Sequence, residues 1–200
     1  MLRNSSIVIY DACVLYPFNL RDFLMHIATT QDLIQAKWTD IILDECFRSI
    51  LRNRPDLNEE KLKRTRQLMC AAVPDCIVLG FEELIEGILL PDPDDRHVVA
   101  AALKAEAKTI VTFNLSDFPP SKLEPLNLRA IHPDEFVLNL LRLDQLSVLD
   151  AYINHESSHR VPTKSRLQVL EGLRNIGMVK SANQIEQLLA EDDLLKLDHR

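Results

Sequence analysis

Pro91-Asp92-Pro93-Asp94-Asp95-Arg96-His97-Val98-Val99-Ala100-Ala101-Ala102-Leu103-Lys104-Ala105-Glu106-Ala107-Lys108-Thr109-Ile110-Val111-Thr112-Phe113-Asn114-Leu115-Ser116-Asp117-Phe118 carries the clearest structural pattern in the chain. Residues 91–95 are turn formers and read as a loop. His97 to Ala107 is rich in alanine, the best helix former, and predicts the strongest helix of the chain. Lys108 to Thr112 then reads as a short buried strand. The segment is thus a loop, a helix and a strand, with acids at both ends: Asp92, Asp94 and Asp95 before the helix, Asp117 after the strand.

Working outward, Ile7-Val-Ile-Tyr10 predicts another buried strand, ending at Asp11. Helices are expected over Tyr16–Thr30, with Pro17 near the first turn, and over Trp38–Leu51. Thr39 is a plausible N-cap for the second of these, and Asp40 suits its first turn. A further helix is expected from about Asn58 to Val73, stopped by Pro74. Cys76-Ile-Val-Leu79 reads as a strand and Phe81–Leu90 as a short helix. Downstream, a strand falls at about Arg129–Ile131 and a helix starts at Pro133. Strands alternating with helices make this an α/β protein with a central, mainly parallel sheet flanked by helices. After about Leu143 the character changes to helix and polar linker. Lys164–Ile176 and Ser181–Leu189 read as amphipathic helices separated by Gly177. The expected organisation is a domain over residues 1–140 and a small C-terminal helical extension over 141–200.

Of the 200 residues 46% are hydrophobic and 26% charged, an ordinary globular balance. The net charge of −7 argues against a protein that coats nucleic acid through a broad basic surface. It leaves a metal-dependent nuclease open, because bound cations invert the sign of an acidic site. Cys13, Cys46, Cys70 and Cys76 form no Cys-x-x-Cys pair and fit buried free thiols in a reducing compartment. The four glycines form no phosphate-cradling loop. Met1-Leu-Arg-Asn-Ser-Ser6 runs directly into an apolar strand without the pattern of a signal peptide, and no apolar run approaches a membrane span. A cytoplasmic protein without a membrane partner is the expectation.

In parallel α/β sheets ligands sit beyond the carboxyl ends of the strands. Asp11 and Asp117 follow two such ends. Asp92, Asp94 and Asp95 begin the helix that feeds the second. Glu45 lies mid-helix on an otherwise apolar surface. Taken singly, each acid is an ordinary turn, cap or surface residue. Converging on one spot, they would repel one another unless a cation neutralised them. Hard oxygen ligands suit Mg²⁺ or Mn²⁺, which promote phosphodiester hydrolysis.

These segments, in order, resemble the PIN domain, and in particular VapC-type toxins. The resemblance covers about residues 6–137. It rests on Ile-Val-Ile-Tyr-Asp11-Ala-Cys-Val-Leu, Ile-Leu-Asp-Glu45-Cys-Phe-Arg-Ser-Ile, Pro-Asp-Pro-Asp-Asp95-Arg-His-Val-Val-Ala-Ala-Ala, and Thr-Ile-Val-Thr112-Phe-Asn114-Leu-Ser-Asp117-Phe-Pro. It implies a metal-dependent endoribonuclease, often a homodimer, held silent by an antitoxin. Asp11, Glu45, Asp95 and Asp117 become the catalytic and metal-binding carboxylates, with Asp94 competing for the third place. Thr112 and Asn114 become supporting residues. An inactive PIN-fold interaction module is the alternative.

Two further features bear on function. Arg48, Arg52 and Arg54 open the densest basic stretch, which continues through Lys61, Lys63, Arg64 and Arg66. Phosphate contacts from it would position RNA, or an acidic inhibitor peptide would compete for it. His155-Glu156-Ser-Ser-His159 is a literal His-Glu-x-x-His, the zinc signature of a metalloprotease when helical. Its polar flanks and Pro162 favour an exposed linker.

Overall fold

The computed structural model describes residues 6–30, 33–158 and 164–198. Four strands, β1 (Ser6–Tyr10), β2 (Ile34–Lys37), β3 (Thr109–Val111) and β4 (Arg129–Ile131), form one sheet in the order β2-β1-β3-β4. All three pairings are parallel, with Val8 opposite both Ala36 and Thr109, and Val111 opposite Ile131. The chain leaves β1 toward β2 on one side and later returns to β3 on the other. That change of direction opens a crevice between the carboxyl ends of β1 and β3. Asp11 and Thr112 are the residues immediately after those two ends.

Burial on both faces explains the apolar runs. Val8, Ile9, Tyr10, Ile110 and Val111 are essentially inaccessible. Beneath the crevice the Tyr10 ring stacks on Trp38 at 6.3 Å and meets Phe136 edge-on at 6.2 Å, which fixes the β1 end against neighbouring elements.

The first crossover holds α1 (Ala12–Leu15) and α2 (Phe18–Thr29). The helix expected over Tyr16–Thr30 is α2, and α1 is a short additional helix before it. Asp11 caps α1, and Pro17 stands at the N-cap of α2 rather than in its first turn. β2 lies in a stretch whose residue pattern predicts no strand. α3 (Asp40–Asn53) starts as expected, with Thr39 Oγ1 accepting from Ile42 N at 3.1 Å. α4 (Glu59–Ala72) is capped by Asn58. Cys76–Leu79 is not a strand: it contributes one parallel bridge, Ile77 to Trp38, beside β2. Glu82–Gly87 forms 3-10 turns in place of the expected helix. The loop acids lie on a 3-10 turn, Pro93–Asp95, that runs straight into α5 (Arg96–Lys104). α6 (Pro120–Leu123) precedes β4.

The C-terminal third comprises α7 (Pro133–Leu143), α8 (Gln145–Ser158), α9 (Arg166–Arg174) and α10 (Val179–Asp198). These helices pack onto the rest of the molecule. α8 lies along α2, where Phe23 meets Tyr152 edge-on at 5.9 Å. Asp134 of α7 caps α10, its carboxylate accepting from Ser181 N at 2.7 Å and Lys180 N at 3.0 Å. The turn between α9 and α10 needs Gly177, whose φ of 91° is a left-handed conformation. Among the described residues no helix is long and apolar enough to cross a membrane.

Candidate active site

Asp11 is 6% exposed and its carboxylate is tied down on three sides. It accepts from Ala12 N at 2.6 Å, from Thr112 Oγ1 at 2.6 Å and from the Cys13 thiol at 3.1 Å. Burial and then the Asp11 charge push the Cys13 thiol up to about 12, so it stays a donor. Thr112 Oγ1 in turn accepts from Asn114 N at 3.0 Å, and Asn114 donates its side-chain amide to Asp117. One chain of hydrogen bonds therefore runs from the end of β1, across the end of β3, to Asp117. It orients both carboxylates before any ligand arrives.

Opposite this chain stands the 3-10 turn. Asp92 caps it, accepting from Asp94 N at 2.9 Å, and the turn swings Asp95 inward. Oxygens of Asp92, Asp95 and Asp117 lie within 4.8 Å of one another. One Asp95 oxygen is buried with no hydrogen-bond partner among the described residues. Burial, and then the charges of Asp11, Asp92, Asp117 and Glu45, push the Asp95 carboxyl up to about 7. A half-buried acid with an unpaired inner oxygen, crowded by other acids, is what removal of a cation from its ligands would leave. The donor set is all carboxylate oxygen and fits a hard divalent ion.

Glu45 enters from α3, a third direction. Its Oε1 lies 3.0 Å from His97 Nε2, off the line of a hydrogen bond. Both His97 ring nitrogens are buried without hydrogen-bond partners among the described residues. Asp11, Glu45, Asp95 and Asn114 line one open cleft of about 490 Å³, which extends past Ser49 and Asn53 to Tyr16.

The structure thus brings Asp11, Glu45, Asp95, Asp117, Thr112 and Asn114 together. Of the two candidates for the third place, Asp95 joins the cluster and Asp94 is exposed. The sequence reading gave Asp92 no role as a ligand and overlooked His97. An Asp-Pro before a helix reads as a turn, and a histidine inside an apolar helix reads as core. Spacing gives a signal in hindsight, since Asp92 and Asp95 are three apart across one tight turn.

Among the basic residues, Arg48 and Arg52 are exposed on α3. Arg54 is engaged by Asp56 at 2.6 Å, Lys63 by Glu59 and Glu60, and Arg66 by Asp40 and Asp44. His155 is not on an exposed linker: it is wholly buried on α8, and its Nδ1 lies 2.7 Å from Asp22 Oδ2 on α2. Phe23 and Tyr152 enclose its ring, so apolar packing explains the burial that its polar flanks hid. Glu156 pairs with Arg166 at 3.3 Å, and His159 lies outside the described residues.

The family model of the PIN domain matches residues 6–116, which hold every one of these acids but Asp117, and that one by a single residue. The chain belongs to the PIN domain family. The family model described as VapC50 C-terminal domain matches residues 133–187 of this PIN protein. A relative from Mycobacterium tuberculosis (strain ATCC 25618 / H37Rv), named "Putative ribonuclease VapC50", is 45% identical over 67 residues. That match covers 30% of this chain and 40% of the relative, well short of two thirds of its length. No solved structure matches this PIN protein.

Proposed function

We propose that this PIN protein is a divalent-cation-dependent endoribonuclease of the VapC type, the toxin of a toxin–antitoxin pair. The observation that carries the reading is Asp95, a half-buried carboxylate with one inaccessible, unpartnered oxygen, facing Asp92 and Asp117. In this reading Asp95 and Asp117, with Asp92, Asp11 and Glu45 around them, hold Mg²⁺ or Mn²⁺. The ion would supply Lewis-acid stabilisation of the phosphate charge and bring hydroxide within reach at neutral pH. Thr112 and the Asn114 amide hold Asp11 and Asp117 in place. Glu45, open to the cleft, is placed to take a proton from an incoming water. Arg48 and Arg52 would meet the RNA backbone beside the cleft. Arg54, engaged by Asp56, would contribute less. The relative's printed name, a ribonuclease, supports the RNA assignment. Pairing with an antitoxin and self-association as a homodimer complete the proposal.

Calorimetric titration with Mn²⁺ tests the ion site, and incubation with single-stranded RNA under the same conditions tests the chemistry. Wild type is expected to bind the ion and cleave internally, and Asp95→Asn to do neither. Full cleavage by Asp95→Asn, purified free of host nucleases, would overturn the reading. So would wild-type protein that binds no divalent ion.

A further inference from the structure

The cleft continues beyond the acids, and its far wall differs in kind. Glu45, Ser49 and Asn53 recur every four residues, so all three fall on one face of α3, and all three line the cleft. Eight residues of helix carry that face roughly 12 Å away from Glu45. At the far end Asn53 donates its side-chain amide to the Tyr16 hydroxyl at 3.1 Å. The two residues thus form one unit across the gap between α3 and the α1–α2 corner.

The side chains that line this end, Tyr16, Ser49 and Asn53, are uncharged, and their hydrogen-bonding capacity is largely unspent. Asn53 gives one N–H to Tyr16 and keeps its carbonyl oxygen and second N–H for a ligand. Ser49 makes no side-chain hydrogen bond among the described residues, although it sits within a helix. Tyr16 adds an aromatic ring, half-buried and lining the same cleft. The nearest guanidiniums are already engaged, Arg54 by Asp56 and Arg21 by the carbonyls of Leu15 and Tyr16. An aromatic ring beside an amide with a free donor and acceptor instead suits a flat, neutral, edge-bonding group. That is the chemistry by which proteins hold an unstacked nucleobase.

We infer that Tyr16 and Asn53, with Ser49, form a nucleobase subsite for single-stranded RNA, next to the carboxylate end of the cleft. This deepens the proposed function and rests on it. The strand would place a phosphate at the acids and the neighbouring base against Tyr16. The ring supplies stacking, which tolerates any base, and the Asn53 amide reads the base edge.

The test measures binding of labelled six-nucleotide RNA to the full-length Asp95→Asn protein by fluorescence anisotropy. Matched oligonucleotides lacking one base in turn are compared with it. Tyr16→Ala is expected to weaken binding about tenfold. Removing the base that sits at the subsite is expected to weaken it similarly, and the two losses together should not add. Tyr16→Phe keeps the ring and most of the affinity. Asn53→Ala should level differences among oligo-A, oligo-G, oligo-C and oligo-U. In the wild-type background, Mn²⁺ affinity stays unchanged in the Tyr16 and Asn53 variants, while KM for RNA rises. Thermal melts confirm that each variant folds. Full-strength binding by Tyr16→Ala overturns the inference, as does indifference to every missing base or strict additivity of the two losses. RNA binding that survives Tyr16→Ala while antitoxin binding is lost would assign the wall to a protein partner instead. Failure of the nuclease reading shows separately, as wild-type protein that takes up no Mn²⁺.

Discussion

Two half-buried acidic sites in this molecule have opposite electrostatic characters. At the carboxyl end of the sheet, Asp95 faces four other acids, and burial and those charges together push its carboxyl up to about 7. Between α2 and α8, burial also acts to raise Asp22. The hydrogen bond and charge of His155, with Ser158 and His26, more than cancel that and hold it below the usual carboxylate range. Asp22 receives His155 Nδ1 at 2.7 Å and the Ser158 hydroxyl at 2.9 Å. One cluster lacks countercharge; the other is paired across a helix–helix contact. A complete set of partners marks an acid that holds structure together. An incomplete set marks one kept for a ligand.

The largest expected effect breaks the first cluster. Asp95→Asn should lower RNA cleavage a hundredfold or more, on the order of what loss of a metal-site residue costs. The same change should leave the ion-free protein as stable as before or slightly more so, because it removes repulsion. Urea melts in a chelator check this; a clear loss of stability would mean that Asp95 already has a partner.

Adding the ion should then separate the two clusters. Mn²⁺ at a hundred times its Kd should stabilise wild type by about 2.7 kcal/mol. The rise in Tm should vanish in Asp95→Asn and persist in Asp22→Asn.

Asp22→Asn is the converse substitution and should cost about 2 kcal/mol, the scale of a hydrogen bond to a charged group. Cleavage per folded molecule should remain. The pH dependence follows from the sign of the shift. An unfolded aspartate titrates near about 3.9, and folded Asp22 titrates lower. Its stabilisation is therefore complete above the unfolded value and fades as pH falls through the folded one. Acid melts of wild type and Asp22→Asn should converge below that point. Persistent divergence would remove Asp22 from the account.

Sequence alone made one cluster far more legible than the other. Asp11, Asp95 and Asp117 stand at the ends of elements whose patterns are strong, so their convergence followed from the order of strands and helices. The parallel sheet was legible for the same reason. Asp92 stands among the acids but reads only as a cap, because its cap role and its approach to Asp95 share one residue, and only the fold of the 3-10 turn reveals the second. β2 escaped because Ile34-Gln-Ala-Lys37 has too few apolar residues for a strand pattern. Its stability comes from pairing with β1. Cys76–Leu79 had the composition of a strand but forms only a bridge to Trp38. His155 was hidden in a polar stretch because its partner Asp22 is 133 residues away in the chain. No local window contains that pair.

The smallest expected effect on stability belongs to His97, the residue that most nearly bridges the two kinds of environment. Like His155 it is buried against a carboxylate, here Glu45 at 3.0 Å. Unlike His155 Nδ1, neither of its nitrogens completes a hydrogen bond among the described residues. An imidazole left unsatisfied in the interior adds little to the fold, since its desolvation offsets its packing. His97→Leu should therefore shift unfolding by less than about 1 kcal/mol, whereas His155→Leu, which removes the nearest partner of Asp22, should cost about 2 kcal/mol. Function should rank them the other way. With no imidazole beside it, Glu45 is free to turn from the cleft, and cleavage should fall about tenfold, as for other residues that orient a ligand. His155→Leu should leave cleavage by the folded fraction and Mn²⁺ affinity unchanged. Melting and cleavage assays on the two variants decide it. If both histidines cost stability alike and neither affects cleavage, hydrogen-bond completeness does not distinguish the two clusters.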